Sequence, residues 1–303
     1  MQTVLISGGT GLVGKALSKL LVNKGYKVIV LSRQATPMAN DTITTAKWDV
    51  NKQEIDIAAL QEADYIVHLA GAGVMDKKWT AAYKKEIISS RVDSAQLIVN
   101  SLQHNTNKVK KVISASAIGW YKPGENLHTE EEPSDDNFLG NTCRLWEASM
   151  DPVTTLNKGL VKIRIGIVLS NEGGALKEFI TPLKLGVAAI LGNGKQMISW
   201  IHINDLCSLF VNAIENKNLN GVYNAVAPNP VNNKTLTLTL AKKIRGNWFI
   251  PLHVPVFILK LMLGGRSIEI LKSANVSSKK IQGTGFQFQF ENIDAALENI
   301  SKI

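Results

Sequence analysis

Three glycines near the amino terminus, in the sequence GGTGLVG, have the spacing of a phosphate-binding turn. Gly8, Gly11 and Gly14 follow the apolar run TVLIS and precede an amphipathic segment. Missing side chains there permit a tight turn, close approach of a pyrophosphate and close packing of a helix on a strand. The residues between the glycines are expected to contact the same phosphates: Thr10, Leu12 and Val13. The pattern predicts a dinucleotide-binding site.

The residues after the second apolar run, KVIVLS, bear on which dinucleotide is bound. In an NAD enzyme an acidic residue at this point binds the ribose 2′-hydroxyl. This chain has Ser32 and Arg33 there and no carboxylate before Asp41. Because a guanidinium can bind a 2′-phosphate with two hydrogen bonds, the sequence favours NADP over NAD, with Arg33 as a solvated loop residue the alternative. Asp49 fits either a contact to the adenine or an ordinary turn residue.

A doubly wound α/β fold is what the rest of the pattern predicts as the scaffold of this site. Apolar runs such as DYIVHLAG, KVISAS and VKIRIGIVLS alternate with helical segments, one of them from about Lys84 to Gln103. Such alternation is typical of a Rossmann-type parallel sheet with helices on both faces. We expect an NADP-binding domain in residues 1–170, with 200–222 packing back on it. Residues 171–199 and 223–303 would form a smaller C-terminal substrate lobe.

Composition and charge exclude several other classes of protein. Of the 303 residues 45% are hydrophobic, and the net charge is +9, but the lysines are scattered and form no nucleic-acid recognition motif. The two cysteines match no metal spacing, and the apolar run VPVFILKLML is too short to cross a membrane. The first residues lead directly into a strand instead of a secretory signal. These features predict a cytoplasmic protein that binds a small molecule, with no nucleic-acid, membrane or metal partner.

The order of motifs resembles that of the extended short-chain dehydrogenase/reductases, which include the sugar-nucleotide epimerases. The resemblance covers nearly the whole chain and is carried by these stretches: GGTGLVG, HLAGAG, SASAIGWY, CRLWEA, SWIHINDL and GFQF. It is closest to an atypical epimerase-family subgroup with a characteristic C-terminal segment. The resemblance implies cofactor contacts from Leu69, Ala70 and Gly71, and a homodimer formed through helices that flank the sheet.

The catalytic residues of this superfamily are only partly matched. In ordinary members a Tyr-x-x-x-Lys pair and a serine act on the substrate carbonyl, and an asparagine assists the proton relay. Ser116 matches the serine, but Leu139 and Cys143 stand at the tyrosine and lysine positions, and Arg91 at that of the asparagine. The resemblance therefore keeps Ser116 as a catalytic candidate but supplies no proton donor.

Two other residues could take part in proton or covalent chemistry. Cys143 lies on the predicted inward stripe of its helix, where it is either a small core residue or a nucleophile. Because Glu147 follows one turn later and would raise the thiol pKa, covalent catalysis is the least favoured mechanism. Tyr121 follows Ser116 by one short loop, and it is either the missing proton donor or an amphipathic residue at the rim of the cleft.

Two arginines and a histidine occupy positions where charge is costly. Arg91 falls on the buried face of the long helix, so it needs a carboxylate such as Glu147, a backbone carbonyl or a ligand anion. Arg164, inside a predicted strand, has the same requirement. In SWIHINDL, Asp205 is expected near the amino-terminal cap of a helix, and His202 is expected to be structural.

Two functions remain in view. In the first, an NADP-dependent oxidoreductase or epimerase exchanges hydride with a carbonyl or hydroxyl of a small substrate, nucleotide-linked or not. Ser116 would position the oxygen, Tyr121 or a water would supply the proton, and Cys143 and Arg91 complete the candidate site. In the second, the chain is a catalytically inactive NADP-binding protein that acts as a redox-responsive regulator or partner-binding module.

Overall fold

The computed structural model describes residues 1–34 and 42–301, so Asp41 lies outside the described residues. Within these ranges the strands are β1 (Thr3–Ser7), β2 (Lys27–Ser32), β3 (Ile43–Asp49), β4 (Glu54–Ile55), β5 (Tyr65–His68), β6 (Lys111–Ala117), β7 (Leu127–His128), β8 (Gly159–Ile165), β9 (Ile167–Leu169), β10 (Val187–Leu191), β11 (Met197–Ile198), β12 (Trp200–His202), β13 (Gly221–Ala225), β14 (Val231–Asn232), β15 (Ile250–Val254) and β16 (Asn275–Val276). The helices are α1 (Leu12–Asn23), α2 (Ile57–Glu62), α3 (Ala81–His104), α4 (Phe138–Met150), α5 (Ala175–Lys184), α6 (Ile203–Glu215), α7 (Asn233–Arg245), α8 (Val256–Leu263), α9 (Ser267–Leu271), α10 (Lys279–Gln282) and α11 (Ile293–Ser301).

Eight strands form the central sheet, in the order β13-β8-β6-β5-β1-β2-β3-β4. All neighbours in it are parallel except β3 and the short edge strand β4. The chain runs from β1 outward to one edge and then returns to place β5 on the other side of β1. This reversal opens a crevice at the carboxyl ends of β1 and β5, where ligands of doubly wound sheets bind.

Both faces of the sheet are buried, which explains the continuous apolar runs in the sequence. Val4 and Ile6 of β1 pack into one core with α1 and α6, and Leu5 packs into a second core with α2 and α3. The predicted doubly wound α/β fold is therefore confirmed. Helix α3 begins slightly before the predicted Lys84, because the Thr80 hydroxyl caps it by accepting from the Tyr83 amide.

The stretch VKIRIGIVLS is not the single strand that its apolar pattern predicts. It divides at Gly166 into β8, which stays in the central sheet, and β9, which pairs with β12. A side chain at Gly166 would lie 2.5 Å from the carbonyl oxygen of Ser199. Close approach of that second backbone segment therefore requires glycine and turns the chain out of the large sheet.

The segment SWIHINDL leads into α6 as predicted. His202 caps α6, its ring accepting from the Asn204 amide, and burial lowers its pKa to about 4, so it is a neutral structural residue as expected. Asp205 lies in the first turn of α6, near the cap as expected, and its carboxylate accepts the backbone amides of Gln289 and Phe290 at 2.8 and 3.0 Å. It therefore fastens the residues that follow GFQF to the amino-terminal turn of α6.

The C-terminal part of the chain has a core of its own. Helices α5, α7 and α11 pack with β10 around Leu183, Leu240 and Leu297. Helix α6 and strand β13 instead belong to the large sheet and its core. The domain boundaries proposed from the sequence stay a prediction. Among the described helices, none is long and apolar enough to cross a membrane.

Candidate functional site

The glycine turn holds the amino terminus of α1 at the carboxyl end of β1. Gly8 has a φ of +72°, and a side chain on it would lie 2.8 Å from the backbone of Leu69. A side chain on Gly14 would lie 2.3 Å from the carbonyl oxygen of Gly8. Both positions therefore require glycine, because neighbouring backbone atoms occupy the space that a side chain would need.

The amino terminus of α1 is left free to bind an anion. Gly11 caps the helix without a side-chain hydrogen bond, and the first turn has no acidic residue. The first amides of a helix have no intrahelical partner and carry the positive end of its dipole. The backbone at Leu12, Val13 and Gly14 thus offers donors to a phosphate, and Thr10 and Gly11 are exposed beside them.

The residues proposed to select the cofactor lie at the ends of β2 and β3. The Ser32 hydroxyl accepts from the Gln34 amide at 3.3 Å, and Arg33 is exposed, with no salt bridge to a described carboxylate. Asp49 accepts the amides of Asn51 and Lys52 at 3.0 and 3.2 Å. This geometry is that of an ordinary turn residue, one of the two roles that the sequence allowed for Asp49.

The segment after β5 forms the other wall of the crevice. Leu69 continues the pairing with β1 through its amide, which donates to Ser7. Ala70 and Gly71 follow, and the Ala72 amide donates to the Ser90 hydroxyl of α3 at 2.9 Å. The segment is thereby fixed between β1 and α3.

Arg91 lies behind this wall. Its guanidinium donates to the carbonyl of Ile87 at 2.8 Å and lies 5.0 Å from the ring centre of Trp146. A side chain on Gly71 would lie 3.0 Å from the guanidinium carbon. Of the partners that the sequence allowed, the backbone carbonyl is used and Glu147 is not, and Arg91 forms no salt bridge with any carboxylate in residues 1–34 and 42–301. Desolvation lowers its pKa, so this is a partly buried charge with one hydrogen bond among the described residues.

A buried histidine that the sequence interpretation overlooked lies beneath the crevice. His68, the last residue of β5, is bonded to the Ser7 hydroxyl at 2.6 Å and to the Ser94 hydroxyl at 3.3 Å. Burial lowers its pKa to about 3, so the ring is neutral. Its signal in the sequence was a polar residue at the end of an otherwise apolar strand.

Ser116 does not present its hydroxyl to the crevice as the resemblance implied. The hydroxyl is buried and donates to the Glu147 carboxylate at 2.7 Å. The same carboxylate accepts from Arg164 at 2.8 Å and 3.1 Å, in a bidentate pair. Arg164 therefore satisfies its predicted need for a partner through Glu147, and Ser116 is bound into that ion pair.

Tyr121 is buried and does not lie at the rim of the cleft. Its side chain is fully buried, its hydroxyl donates to the Asn224 side chain at 2.7 Å, and Arg164 donates to it at 3.0 Å. Desolvation raises its pKa to about 12. Because its proton is already donated inside the protein, the geometry argues against Tyr121 as the proton donor.

Cys143 faces the interior from α4, as its helical spacing predicts. Its thiol lies 3.6 Å from the Ala117 carbonyl. Burial, with a smaller contribution from Glu147, raises its pKa to about 11. The thiol therefore stays protonated at neutral pH, which agrees with the low rank given to covalent catalysis.

The C-terminal lobe adds two ionisable residues here that the sequence motifs did not indicate. The Lys272 ammonium donates to the carbonyl of Gly119 at 3.5 Å, and a side chain on Gly119 would lie 3.4 Å from the Cys143 sulfur. Glu269 lies one turn earlier on α9, and burial raises its pKa. Lys272 thus reaches the part of α4 where the superfamily's lysine would project. No group of residues in the described ranges could hold a metal ion.

Known proteins share these features over the length of the chain. The sequence model of the NAD dependent epimerase/dehydratase family matches residues 4–149, and that of a domain of unknown function (DUF1731) matches 254–300. The epimerase family protein YfhF of Bacillus subtilis is 33% identical over 302 residues, 99% of this chain and 98% of the relative. The human epimerase family protein SDR39U1 is 32% identical over 302 residues, 98% of this chain and 99% of the relative.

Solved structures agree with this. The crystal structure of human SDR39U1 (isoform 2) with NADPH has a TM-score of 0.87 at 29% identity, and the match covers 99% of both chains. UDP-glucuronic acid 4-epimerase from Bacillus cereus, in complex with UDP-glucuronic acid and NAD, has a TM-score of 0.80 over 99% of this chain and 98% of that one. At 17% identity, this second likeness shows the fold alone.

Replacing Gly11 by aspartate tests whether the amino terminus of α1 binds an anion. We expect Gly11→Asp to lower NADPH affinity by about tenfold or more, because it places a carboxylate beside the phosphates. Thermal stability should be unchanged or higher, since aspartate is a favourable cap. Gly11→Asn has nearly the same shape without the charge, so an equal loss of affinity in both variants, measured by calorimetry, would contradict the electrostatic explanation.

Removing Glu147 tests whether Ser116, Glu147 and Arg164 form a structural unit. We expect Glu147→Ala to lower the free energy of unfolding by about 3–5 kcal/mol, because Arg164 would be left buried and unpaired. Asp151→Ala breaks the ion pair between Lys162 and Asp151, whose side chain is 60% exposed. It should lower the free energy of unfolding by about 1 kcal/mol or less. Urea unfolding measures both, and similar losses would refute the assignment.

Proposed function

The chain belongs to the NAD-dependent epimerase/dehydratase family, in the group with the C-terminal domain of unknown function, and we propose that it binds NADP in the crevice between β1 and β5. The free amides of α1 and the absence of side chains at Gly8 and Gly14 suit a pyrophosphate. Arg33 suits a 2′-phosphate, and Leu69, Ala70 and Gly71 suit the nicotinamide half. The human relative crystallised with NADPH supports the choice of NADP over NAD. When bound, the nicotinamide supplies a donor or acceptor of hydride.

We propose further that the protein is an oxidoreductase or epimerase acting on a carbonyl or hydroxyl of a small substrate. The observation that carries this proposal is the unpaired guanidinium of Arg91, behind Gly71 and beside Cys143. A desolvated cation stabilises the negative charge that develops on an oxygen when a carbonyl is reduced. Arg91 would thus hold the substrate oxygen electrostatically, where ordinary relatives use tyrosine and lysine.

The remaining residues would have supporting roles. Glu147 and Arg164 fix Ser116 and Tyr121, so the proton in this proposal comes from water, the other donor that the sequence allowed. Cys143 stays a neutral thiol that leaves space beside Arg91. Lys272 adds a second positive charge near the same point, which favours a substrate that carries an anionic group such as a phosphate or carboxylate. The cytoplasmic location and the homodimer stay predictions.

A specific observation favours a second candidate function. Ser116, Tyr121 and Cys143, three of the four proposed catalytic groups, are buried and hydrogen-bonded within the protein. A protein that binds NADP without turnover, as a redox-responsive regulator or a partner-binding module, would have no need to expose them.

One pair of measurements separates the two. NADPH and NADH affinities are measured by calorimetry, and nicotinamide absorbance is then followed with panels of carbonyl compounds and sugar nucleotides. Absorbance change with any panel member supports the enzyme. Tight NADPH binding with no turnover throughout supports the regulator, and failure to bind either dinucleotide would remove both.

The residues after β2 predict the cofactor preference. We expect Arg33→Ala to weaken NADPH binding by about tenfold or more while NADH binding stays the same, because only NADPH has the 2′-phosphate. Ser32→Asp combined with Arg33→Ala should move the preference towards NADH. Lys52→Gln removes an exposed charge near the end of β3 and serves as the control. Unchanged selectivity in the double variant would contradict the role of Arg33.

The role proposed for Arg91 predicts that its replacement lowers activity without lowering stability. We expect Arg91→Gln to lower kcat by about a hundredfold or more, because the charge that stabilises the oxyanion is gone. Thermal stability should be unchanged or higher, because a partly buried charge without a carboxylate partner has been removed. Arg91→Lys should recover part of kcat, and Arg144→Gln, at an exposed arginine of α4, should change neither quantity. A loss of stability with no change in kcat would instead make Arg91 a structural residue.

A further inference from the structure

A strip of exposed apolar residues lies in the C-terminal lobe, in the segment that includes β15 and α8. We define it by six side chains whose exposed fractions are unusually large for apolar residues: Trp248 (84%), Ile250 (70%), Leu252 (54%), Phe257 (71%), Leu261 (85%) and Met262 (66%). They follow one another over fifteen residues of chain. Leu185, 85% exposed, adjoins this segment near Ile250, whose amide donates to the Gly186 carbonyl. Large exposed apolar patches in soluble proteins mark interaction sites.

Basic side chains predominate around the strip, and one of them, Lys243 of α7, is paired with Asp294 and Glu298 of α11. Residues 216–268 contain seven lysines and arginines but no aspartate or glutamate. Residues 179–204 also lack aspartate and glutamate. Four basic side chains that flank the strip are exposed: Lys184, Lys242, Arg245 and Lys260. Lys260 lies on α8 between Phe257 and Leu261, so positive charge and apolar surface alternate on one exposed helix face.

This charge pattern selects among possible occupants. A second copy of the chain would bring two positive borders together, which disfavours a symmetric contact. An anionic partner would be attracted. The apolar side chains protrude from a strand and a helix, and Leu261 and Trp248 are almost as accessible as in an extended chain. Protruding aromatic and aliphatic side chains flanked by lysines are the features with which proteins insert into the interface of an anionic bilayer.

We propose that the strip docks on the surface of an anionic lipid membrane, with its apolar side chains in the interfacial layer and the four basic side chains on the lipid phosphates. This contact differs from a spanning segment: α8 has eight residues and would lie in the plane of the surface. The sequence predicted no membrane partner because its apolar run VPVFILKLML is too short to span a bilayer, a criterion that does not apply to surface docking. The argument for this proposal does not depend on whether the protein binds NADP, since none of the residues of the strip is a proposed cofactor contact.

Vesicle sedimentation tests the proposal with the full-length chain. Vesicles of phosphatidylcholine with phosphatidylglycerol are compared with vesicles of phosphatidylcholine alone, at low and at physiological salt. We expect binding to the anionic vesicles, weaker binding at higher salt and little binding to the neutral ones. No binding to anionic vesicles at low salt would overturn the proposal, and so would equal binding to both kinds.

Matched variants separate the two contributions. Phe257→Ser with Leu261→Ser should lower the affinity for anionic vesicles by at least about tenfold. Arg245→Gln with Lys260→Gln should lower it by about fivefold for each charge. Leu127→Ser and Lys52→Gln replace an exposed apolar and an exposed basic residue outside the strip, and they should leave vesicle binding unchanged. Equal effects of strip and control variants would overturn the proposal.

Two further measurements keep the outcome unambiguous. Thermal unfolding and NADPH affinity should be the same in every variant, because all the replaced side chains are exposed. A variant whose unfolding changes is replaced by the single substitution Leu261→Ser, with the same expected direction. Sedimentation velocity without lipid should give one concentration-independent species. Self-association that the Phe257 and Leu261 substitutions abolish would instead assign the strip to a second copy, and overturn the lipid proposal.

Discussion

The close approach of three backbone segments at Gly8 and Gly14 is the constraint on which the rest of the site depends. Without side chains there, β1, the first turn of α1 and the segment after β5 come within van der Waals distance of one another. This contact places the free amides of α1 beside Leu69 and Gly71, and so makes one crevice of two separate chain segments. It also sets the position of α3, because Ala72 is bonded to Ser90 of that helix. Arg91 follows Ser90 directly, so the charge proposed to act on a substrate is positioned by the same backbone contact.

Some polar residues of the site are hydrogen-bonded or ion-paired within the protein, whereas Arg91 has no carboxylate partner among the described residues. Glu147 and Arg164 form an ion pair, in which Glu147 accepts from the Ser116 hydroxyl and Arg164 donates to the Tyr121 hydroxyl. Tyr121 in turn donates to Asn224. A network of this kind is rigid, because removing one member leaves another buried and unpaired. Arg91 is close to this network but has no carboxylate among the described residues. Ser116, which matches the superfamily's serine, is thus held within this network, and the unpaired charge of Arg91 is the feature from which we propose a ligand.

The sequence predicted what depends on local spacing and missed what depends on pairing across the fold. The glycine turn, the buried strands and the inward stripe of Leu139, Cys143 and Trp146 all follow from periodicity. The partner of Glu147 does not follow from periodicity. Cys143 and Arg91 were the expected neighbours, but the partner is Arg164, which reaches Glu147 from strand β8. Tyr121 was expected either as the proton donor or as an amphipathic residue at the rim of the cleft, and both alternatives required its hydroxyl to be accessible. Its burial depends on Asn224, a hundred residues away, which no local pattern could indicate. His68 was overlooked for the same reason, since its serine partners come from β1 and α3.

The C-terminal lobe is connected to the crevice by a few specific contacts, which gives its exposed strip a relation to the site. Arg266 donates to the carbonyl of Met75 at 2.7 Å, a side chain on the adjacent Gly265 would lie 3.6 Å from Trp79, and Lys272 reaches Gly119. These residues follow α8 directly in the chain. Anything that holds α8 in place, a lipid surface included, therefore also restrains the short segment that carries Glu269 and Lys272 towards α4. Such a restraint would lower the entropy lost when a ligand orders this side of the crevice, because the segment would already be ordered. The lobe is in this respect a wall of the site as well as a surface for a partner, and its positive charge would serve both.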